Sequence, residues 1–128
     1  MAGKAVLITG ASRGIGLAIA ERLARDGYDL ALVARDAARL RAAAASLAGK
    51  VRIEAWTCDV ADGAAVDGVV AAANEAFGGI YGLVNNAGIT ADGLILRMSA
   101  EQWRRVIDVN LTGAFNFTRA VAPLMMRQ

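Results

Sequence analysis

Short, nearly unbroken apolar runs alternate along this chain with stretches of helical period, and that alternation limits the folds open to it. The runs are Ala5-Val6-Leu7-Ile8, Leu30-Ala31-Leu32-Val33, the more alternating segment 51–56, and segment 80–84. Bounded runs of this length read as strands covered on both faces, the mark of a parallel sheet. Between them, Ile15, Ile19 and Leu23 share one face of a helix over 14–25, with Gly27 as its stop signal. Leu40, Ala44 and Leu47 do the same before Gly49. Asp62 can cap a helix whose inner face is Val66, Val69, Val70, Ala73 and Phe77, closed by Gly78-Gly79. The resulting order, β-α-β-α-β-α-β and one more helix, predicts an α/β fold with a parallel sheet and right-handed crossovers.

The last helix opens at Ser99-Ala100-Glu101-Gln102, a capping-box spacing. Trp103, Val106, Ile107, Leu111, Ala114, Phe115, Thr118 and Ala122 then form one long stripe, read as a buried face. Pro123 should kink or loosen its final turn. Residues 1–128 read as a single unit without linker or repeat. Four strands and four helices are about two-thirds of a six-stranded doubly wound sheet, so the expectation is an incomplete sheet belonging to a longer design.

Composition removes several function classes. The 128 residues include no histidine and one cysteine, Cys58, which excludes a histidine-based triad, a Cys/His zinc site and an internal disulfide. No metal site is expected, and the cysteine count suits a reducing cytoplasm. The 14 basic residues barely exceed the 12 acidic ones and are scattered, so nucleic acid is not an expected partner. Every apolar run is far below the ~20 residues of a membrane span. Residues 1–10 lack the features of a signal peptide. The abundant alanine reads as helix propensity.

The chemistry-bearing residues gather where strands end. Thr9-Gly10-Ala11-Ser12-Arg13-Gly14-Ile15-Gly16 follows the first strand and opens the first helix. Gly10 permits a tight turn, Gly14 a close approach of backbone to phosphate, and Gly16 close packing of helix on strand. A pyrophosphate then lies on the amides and positive dipole of the helix N-terminus. The plainer reading is an ordinary βα connection. Arg35 ends the second strand, where dinucleotide folds commonly carry an acid for a ribose 2′-hydroxyl; an arginine suits a 2′-phosphate, and Arg13 can pair with the same group. Two guanidiniums on one dianion favour NADP (NADPH) over NAD. Asp36 cuts against this, although capping the next helix is its preferred role.

Asp59 and Val60 follow the third strand. Asp59 either accepts a hydrogen bond from an adenine amino group or is a loop acid at the next helix. Cys58 reads as a small buried residue rather than a nucleophile. Asn85-Asn86-Ala87-Gly88 ends the fourth strand, as a crevice where backbone lies against ligand or as a plain turn. Asn110 interrupts the apolar stripe between Ile107 and Leu111. It is equally a helix-kink or interhelical amide and a catalytic-site amide or holder of a bound water, since an unsatisfied buried polar group costs about 1–3 kcal/mol.

Taken together, the chain resembles the short-chain dehydrogenase/reductase family over essentially all 128 residues. Its 9–16 turn looks like that family's cofactor loop, Asp59-Val60 like its adenine contact, and Asn85–Gly88 like its fourth-strand signature. Asn110 falls on the asparagine of its catalytic tetrad. Within the family, Asn86-Ala87-Gly88-Ile89-Thr90, Leu96-Arg97-Met98 and the stretch from Trp103 to Asn110-Leu111 are most similar to 3-oxoacyl-[acyl-carrier-protein] reductases. The resemblance implies a Rossmann-like doubly wound sheet, and cofactor contacts at Gly10, Ala11, Ser12, Arg13, Gly14, Ile15, Gly16, Arg35, Asp59, Val60, Asn86, Ala87 and Gly88. It also implies cytoplasmic fatty acid biosynthesis, with a ketone or 3-oxoacyl substrate on acyl carrier protein.

One departure is large. The family's catalytic serine and Tyr-x-x-x-Lys pair have no match: Tyr28 and Tyr81 are followed four residues on by Leu32 and Asn85, and Ser12, Ser46 and Ser99 each have a local role. The first expectation is therefore the cofactor half of an NADPH-dependent carbonyl reductase, inactive alone. The alternatives are another short-chain alcohol dehydrogenase, or a non-catalytic half-domain that self-associates. A homo-oligomer, in the simplest case a dimer, is expected because the apolar helix face and the fourth strand's edge are left open.

Overall fold

The computed structural model describes residues 3–49, 51–89 and 93–128; Thr90, quoted for the reductase likeness, lies outside the described residues, as does Met1 of the leader reading. Its strands are β1 (Ala5–Thr9), β2 (Asp29–Ala34), β3 (Ile53–Thr57) and β4 (Gly82–Val84). Its helices are α1 (Gly14–Arg25), α2 (Ala37–Leu47), α3 (Gly63–Phe77), α4 (Ala100–Ile107) and α5 (Gly113–Arg127). All pairings are parallel and the spatial order is β3-β2-β1-β4. The architecture is the Rossmann-like α/β sheet that the alternation predicts.

Side-chain alternation builds a core on each face. Val6 and Ile8 join Leu30, Leu32 and Ala34 under Ala20 of α1 and Leu40 of α2. Leu7, Ala31 and Val33 face the other way, onto Val66, Val69 and Val70 of α3 and Phe117 and Val121 of α5. A strand must be apolar at every position to serve both layers, which is why β1 and β2 read as unbroken runs. The edge strand β3 is only half covered, and Arg52 pairs with Glu54 along it.

Local chemistry fixes most helix starts. Asp36 accepts from the Arg39 N–H, Asp62 accepts from the Ala65 N–H, and Ser99 and Gln102 cap one another reciprocally. Gly78, at φ +71°, ends α3 in the left-handed region.

The C-terminal helical segment departs from expectation. It is two α-helices joined by a π-helical turn, Asp108–Thr112, and Pro123 lies inside α5. The widened turn inserts an extra residue into the helical repeat, so positions beyond it rotate away from a 3.6-residue stripe. Leu111 and Phe115, read as part of a buried face, are 64% and 58% exposed; Trp103, ahead of the turn in α4, is 59% exposed as well. Val109, Phe117 and Val121 are buried instead. Gly113 lets α5 approach: a Cβ there would stand 2.5 Å from a Val60 methyl. Among the described residues, no helix is long and apolar enough to cross a membrane.

Candidate functional site

The chain leaves β1 to build β2 and then β3 on one side, and returns to place β4 on the other. This reversal opens a crevice at the carboxyl ends of β1 and β4, the usual ligand position in open α/β sheets. Three segments meet there.

Thr9 ties the first two together. Its buried hydroxyl accepts from the Asn86 and Ala87 N–H groups, each at 3.0 Å, and lies 3.5 Å from the Val84 carbonyl. The Asn86 side chain donates from Nδ2 to the Gly10 carbonyl at 3.2 Å. Gly10 stands at φ +63°, and a Cβ on it would come within 2.9 Å of the Ala87 Cα. At Gly16 a Cβ would strike the Gly10 carbonyl oxygen and stand 2.5 Å from Asn86 Nδ2. The three chain segments thus pack backbone to backbone, which only glycine at these positions permits. Gly14 faces the open side, with φ +57° and nothing within 4 Å of its missing Cβ. Arg13 precedes α1 without any side-chain cap, in contrast to α2, α3 and α4.

A cavity of about 670 Å³ lies against this junction. Its lining brings together Gly10, Ser12, Arg13, Gly14 and Ile15 of the first turn, Arg35 and Asp36 beyond β2, Cys58 and Val60 beyond β3, and Asn86, Ala87 and Gly88 beyond β4. Three of the expected cofactor contacts are not in that lining. Ala11 is buried beneath the turn, its N–H donating to the Val33 carbonyl at 3.2 Å. Gly16 is covered by Gly10 and Asn86. Asp59 accepts from the Ala61 N–H at 3.1 Å and pairs with Arg105 of α4 at 3.3 Å. Burial raises the Asp59 pKa, but the Ala61 N–H, Arg105 and Arg35 outweigh it and hold the carboxyl below its ordinary value.

Asp36 keeps its cap and sits in the cavity wall; the Arg39 N–H is the largest influence holding its carboxyl low. Burial pushes the Cys58 thiol up to about 11, helped by Asp59 and Asp62, which favours the protonated thiol at neutral pH.

Asn110 corrects the sequence reading of a buried amide. It is exposed, within the π-helical turn, because the extra residue there swings it off the apolar face. Both ends of its amide engage the Ile89 backbone: Oδ1 accepts from the N–H at 2.8 Å and Nδ2 donates to the carbonyl at 2.9 Å. A smaller cavity, about 510 Å³, is lined by Arg13, Gly88, Ile89 and Asn110.

Sequence reasoning gave Thr9 no role beyond opening the glycine turn, and passed over Arg39 and Arg105. Thr9 carried a signal, being the polar residue that closes an apolar run. Arg39 and Arg105 sit in helices among other surface arginines, and nothing in their spacing separates them.

The family model for short chain dehydrogenases matches residues 4–128. The 3-oxoacyl-[acyl-carrier-protein] reductase FabG of Staphylococcus epidermidis is 42% identical over 127 residues, covering 98% of this chain and 52% of that protein. The corresponding reductase MabA of Mycobacterium tuberculosis is 43% identical over 124 residues, 97% of this chain and 46% of its own length. The chain thus spans about half the length of the curated relatives it matches. Among solved structures, a short chain dehydrogenase/reductase from Burkholderia phymatum in complex with NAD superposes with a TM-score of 0.95 at 38% identity, over 98% of this chain and 45% of that one. L-sorbose reductase from Gluconobacter frateurii, complexed with NADPH and L-sorbose, gives 0.93 at 40% identity, over 99% and 49%.

Proposed function

The chain belongs to the short chain dehydrogenase family, and from that premise we propose that it is the cofactor-holding half of an NADPH-dependent carbonyl reductase. The carrying observation is one cavity bounded by an open glycine turn, an α1 start with no side-chain cap, and the arginines Arg13 and Arg35. These residues fit a phosphorylated dinucleotide: the backbone at Gly14 is open to a phosphate, and the first N–H groups of α1 supply donors and a positive dipole. The nicotinamide, when bound, supplies the hydride.

The chain's own residues do the holding. Gly14 and Ile15 bind the pyrophosphate through their backbone at the start of α1, over the Gly10-Ala11-Ser12 turn, and Gly16 lets α1 pack closely against that turn. Arg13 and Arg35 pair with a 2′-phosphate, and Val60 lies against the adenine on a loop that Asp59 and Arg105 fix. Asn86, Ala87 and Gly88 form the wall nearest the reacting end, and Asn110 holds that wall by its clamp on Ile89.

Proton delivery to a carbonyl is assigned to residues outside these 128. Tyr28 and Tyr81 stack on one another, ring centroids 6.1 Å apart, where β2 and β4 begin, at the opposite end of the strands from the cavity. Likeness to FabG and MabA supports a 3-oxoacyl group on acyl carrier protein as the substrate, in cytoplasmic fatty acid synthesis.

Binding measurements test the cofactor assignment. Arg13→Ala and Arg35→Ala should each weaken NADPH by roughly tenfold or more, since a charge-assisted hydrogen bond contributes about 1.5–3 kcal/mol, and should leave NADH nearly unchanged. Equal losses for both dinucleotides in calorimetric titration would remove the 2′-phosphate. The exposed face of Trp103, Leu111 and Phe115 supports a second property, self-association into a homo-oligomer. Light scattering should give a mass above one chain; a single-chain mass at every concentration would remove that property and, with it, the reading of a purely self-associating module.

A further inference from the structure

The loop between β3 and α3 leaves the sheet at its outer edge, because among the described residues β3 has β2 on one side and no strand on the other. Its internal bonds shape it: Asp59 Oδ1 accepts from the Ala61 N–H at 3.1 Å, and the Asp62 N–H donates to the Asp59 carbonyl at 3.0 Å. The C-terminal helical segment fastens it, from both sides of the π-helical turn. Arg105 of α4 donates from Nη1 to Asp59 Oδ2 at 3.3 Å, and Asn116 of α5 donates from Nδ2 to the Val60 carbonyl at 3.0 Å. We propose that Arg105 and Asn116 are positioning residues for the adenine end of the cofactor, which hold Val60 against the base without touching it themselves.

Neither anchor lines the cavity, but Val60 does, together with Val109 of the π-helical turn. Gly113 brings the α5 backbone directly behind Val60, so the short carboxamide of Asn116, three residues on, reaches the Val60 carbonyl. A valine holds a base by apolar contact, which needs the valine already in place. A loop free to wander would lose that freedom on binding, at the expense of affinity; a loop fastened beforehand does not. Asp59 spends one oxygen inside the loop and the other on Arg105, so its carboxylate is a fastening for its neighbour. The Arg105–Asp59 pair is partly solvated, the side chains 37% and 41% exposed, and such a pair adds little to folding stability. Loss of base affinity on cutting it is therefore not a consequence of unfolding.

This rests on the dinucleotide reading, and the test keeps the two apart. Adenosine 5′-diphosphate and inorganic pyrophosphate both offer two phosphates to the glycine turn, and only the first carries the base. Each is titrated into the full chain while backbone amide resonances are followed. Arg105→Ala should weaken the adenosine probe by roughly 2- to 5-fold, the size of a partly exposed charge pair. Asn116→Ala should weaken it by roughly 3- to 10-fold, because the Val60 carbonyl loses its donor. Pyrophosphate should bind both variants as it binds the parent chain. Unaltered far-ultraviolet circular dichroism confirms the fold, and Asn116→Asp, which keeps the side-chain size and removes the donor, replaces the alanine variant if that unfolds. Equal weakening of the two probes would make the anchors structural only and overturn the inference. So would unchanged affinity for the adenosine probe in either variant, with the dinucleotide reading left standing. If the parent chain binds neither probe at the glycine turn, that reading fails and this inference with it.

Discussion

Gly16→Ala should abolish measurable dinucleotide binding and destabilise the chain, although every propensity argument points the other way. Gly16 lies inside α1 with ordinary helical backbone, and alanine in a helix interior is favoured over glycine by about 1 kcal/mol. The added methyl, however, would run into the Gly10 carbonyl oxygen and stand 2.5 Å from Asn86 Nδ2. Main chain cannot rotate aside as a flexible side chain can. Overpacking of this kind costs about 1–3 kcal/mol or more, relieved only if α1 backs away from the β1 turn. That retreat breaks the Asn86–Gly10 hydrogen bond and moves the α1 start off the cavity. The sign of the stability change decides between propensity and contact: a stabilised Gly16→Ala chain that still binds NADPH would show the junction to be loose. Gly14→Ala is the informative companion, since it meets no atom and carries only left-handed strain of about 1–2 kcal/mol.

Thr9→Val should produce the second large effect. Valine copies the shape of threonine, and the site is 1% exposed, so water cannot replace the lost oxygen. The Asn86 and Ala87 N–H groups then lose the acceptor they share. Each orphaned part-buried donor costs about 1–3 kcal/mol, which makes a total of about 2–6 kcal/mol in urea unfolding. Thr9→Ser keeps the hydroxyl and should lose far less. Equal stability of the valine and serine variants would mean that the β4 segment is held by its pairing with β1 alone.

These two residues also mark what was and was not legible in the sequence. The strands were, because β1 and β2 must be apolar on both faces and so leave an unbroken run. Helix starts were as well: Asp36, Asp62 and the Ser99–Gln102 box act within three residues of themselves, and local sequence carries local chemistry. The glycine turn was legible as a phosphate-sized opening, but its close backbone contact with Asn86 and Ala87 was not. That Gly10 and Gly16 exist to admit Asn86 and Ala87 depends on β4 lying beside β1, and periodicity gives parallel strands without giving their order. The same long-range step hides Thr9, whose acceptor role is to residues more than seventy positions away, and Arg39, which joins Arg13 only across the sheet edge. The π-helical turn was invisible for another reason. One inserted residue leaves the apolar count of the helix intact while rotating the face, so Asn110 read as buried and Leu111 and Phe115 as covered.

The binding titrations above share one reference, NADPH added to the unsubstituted chain while backbone amide resonances are followed. The account predicts saturation at one dinucleotide per chain. The largest shifts should fall on Gly14, Ile15 and Gly16 and on Asn86 to Gly88, with Tyr28 and Tyr81 at the far end of the strands unmoved. Failure to saturate, or shifts gathered around Tyr28 and Tyr81 instead of the glycine turn, would contradict it.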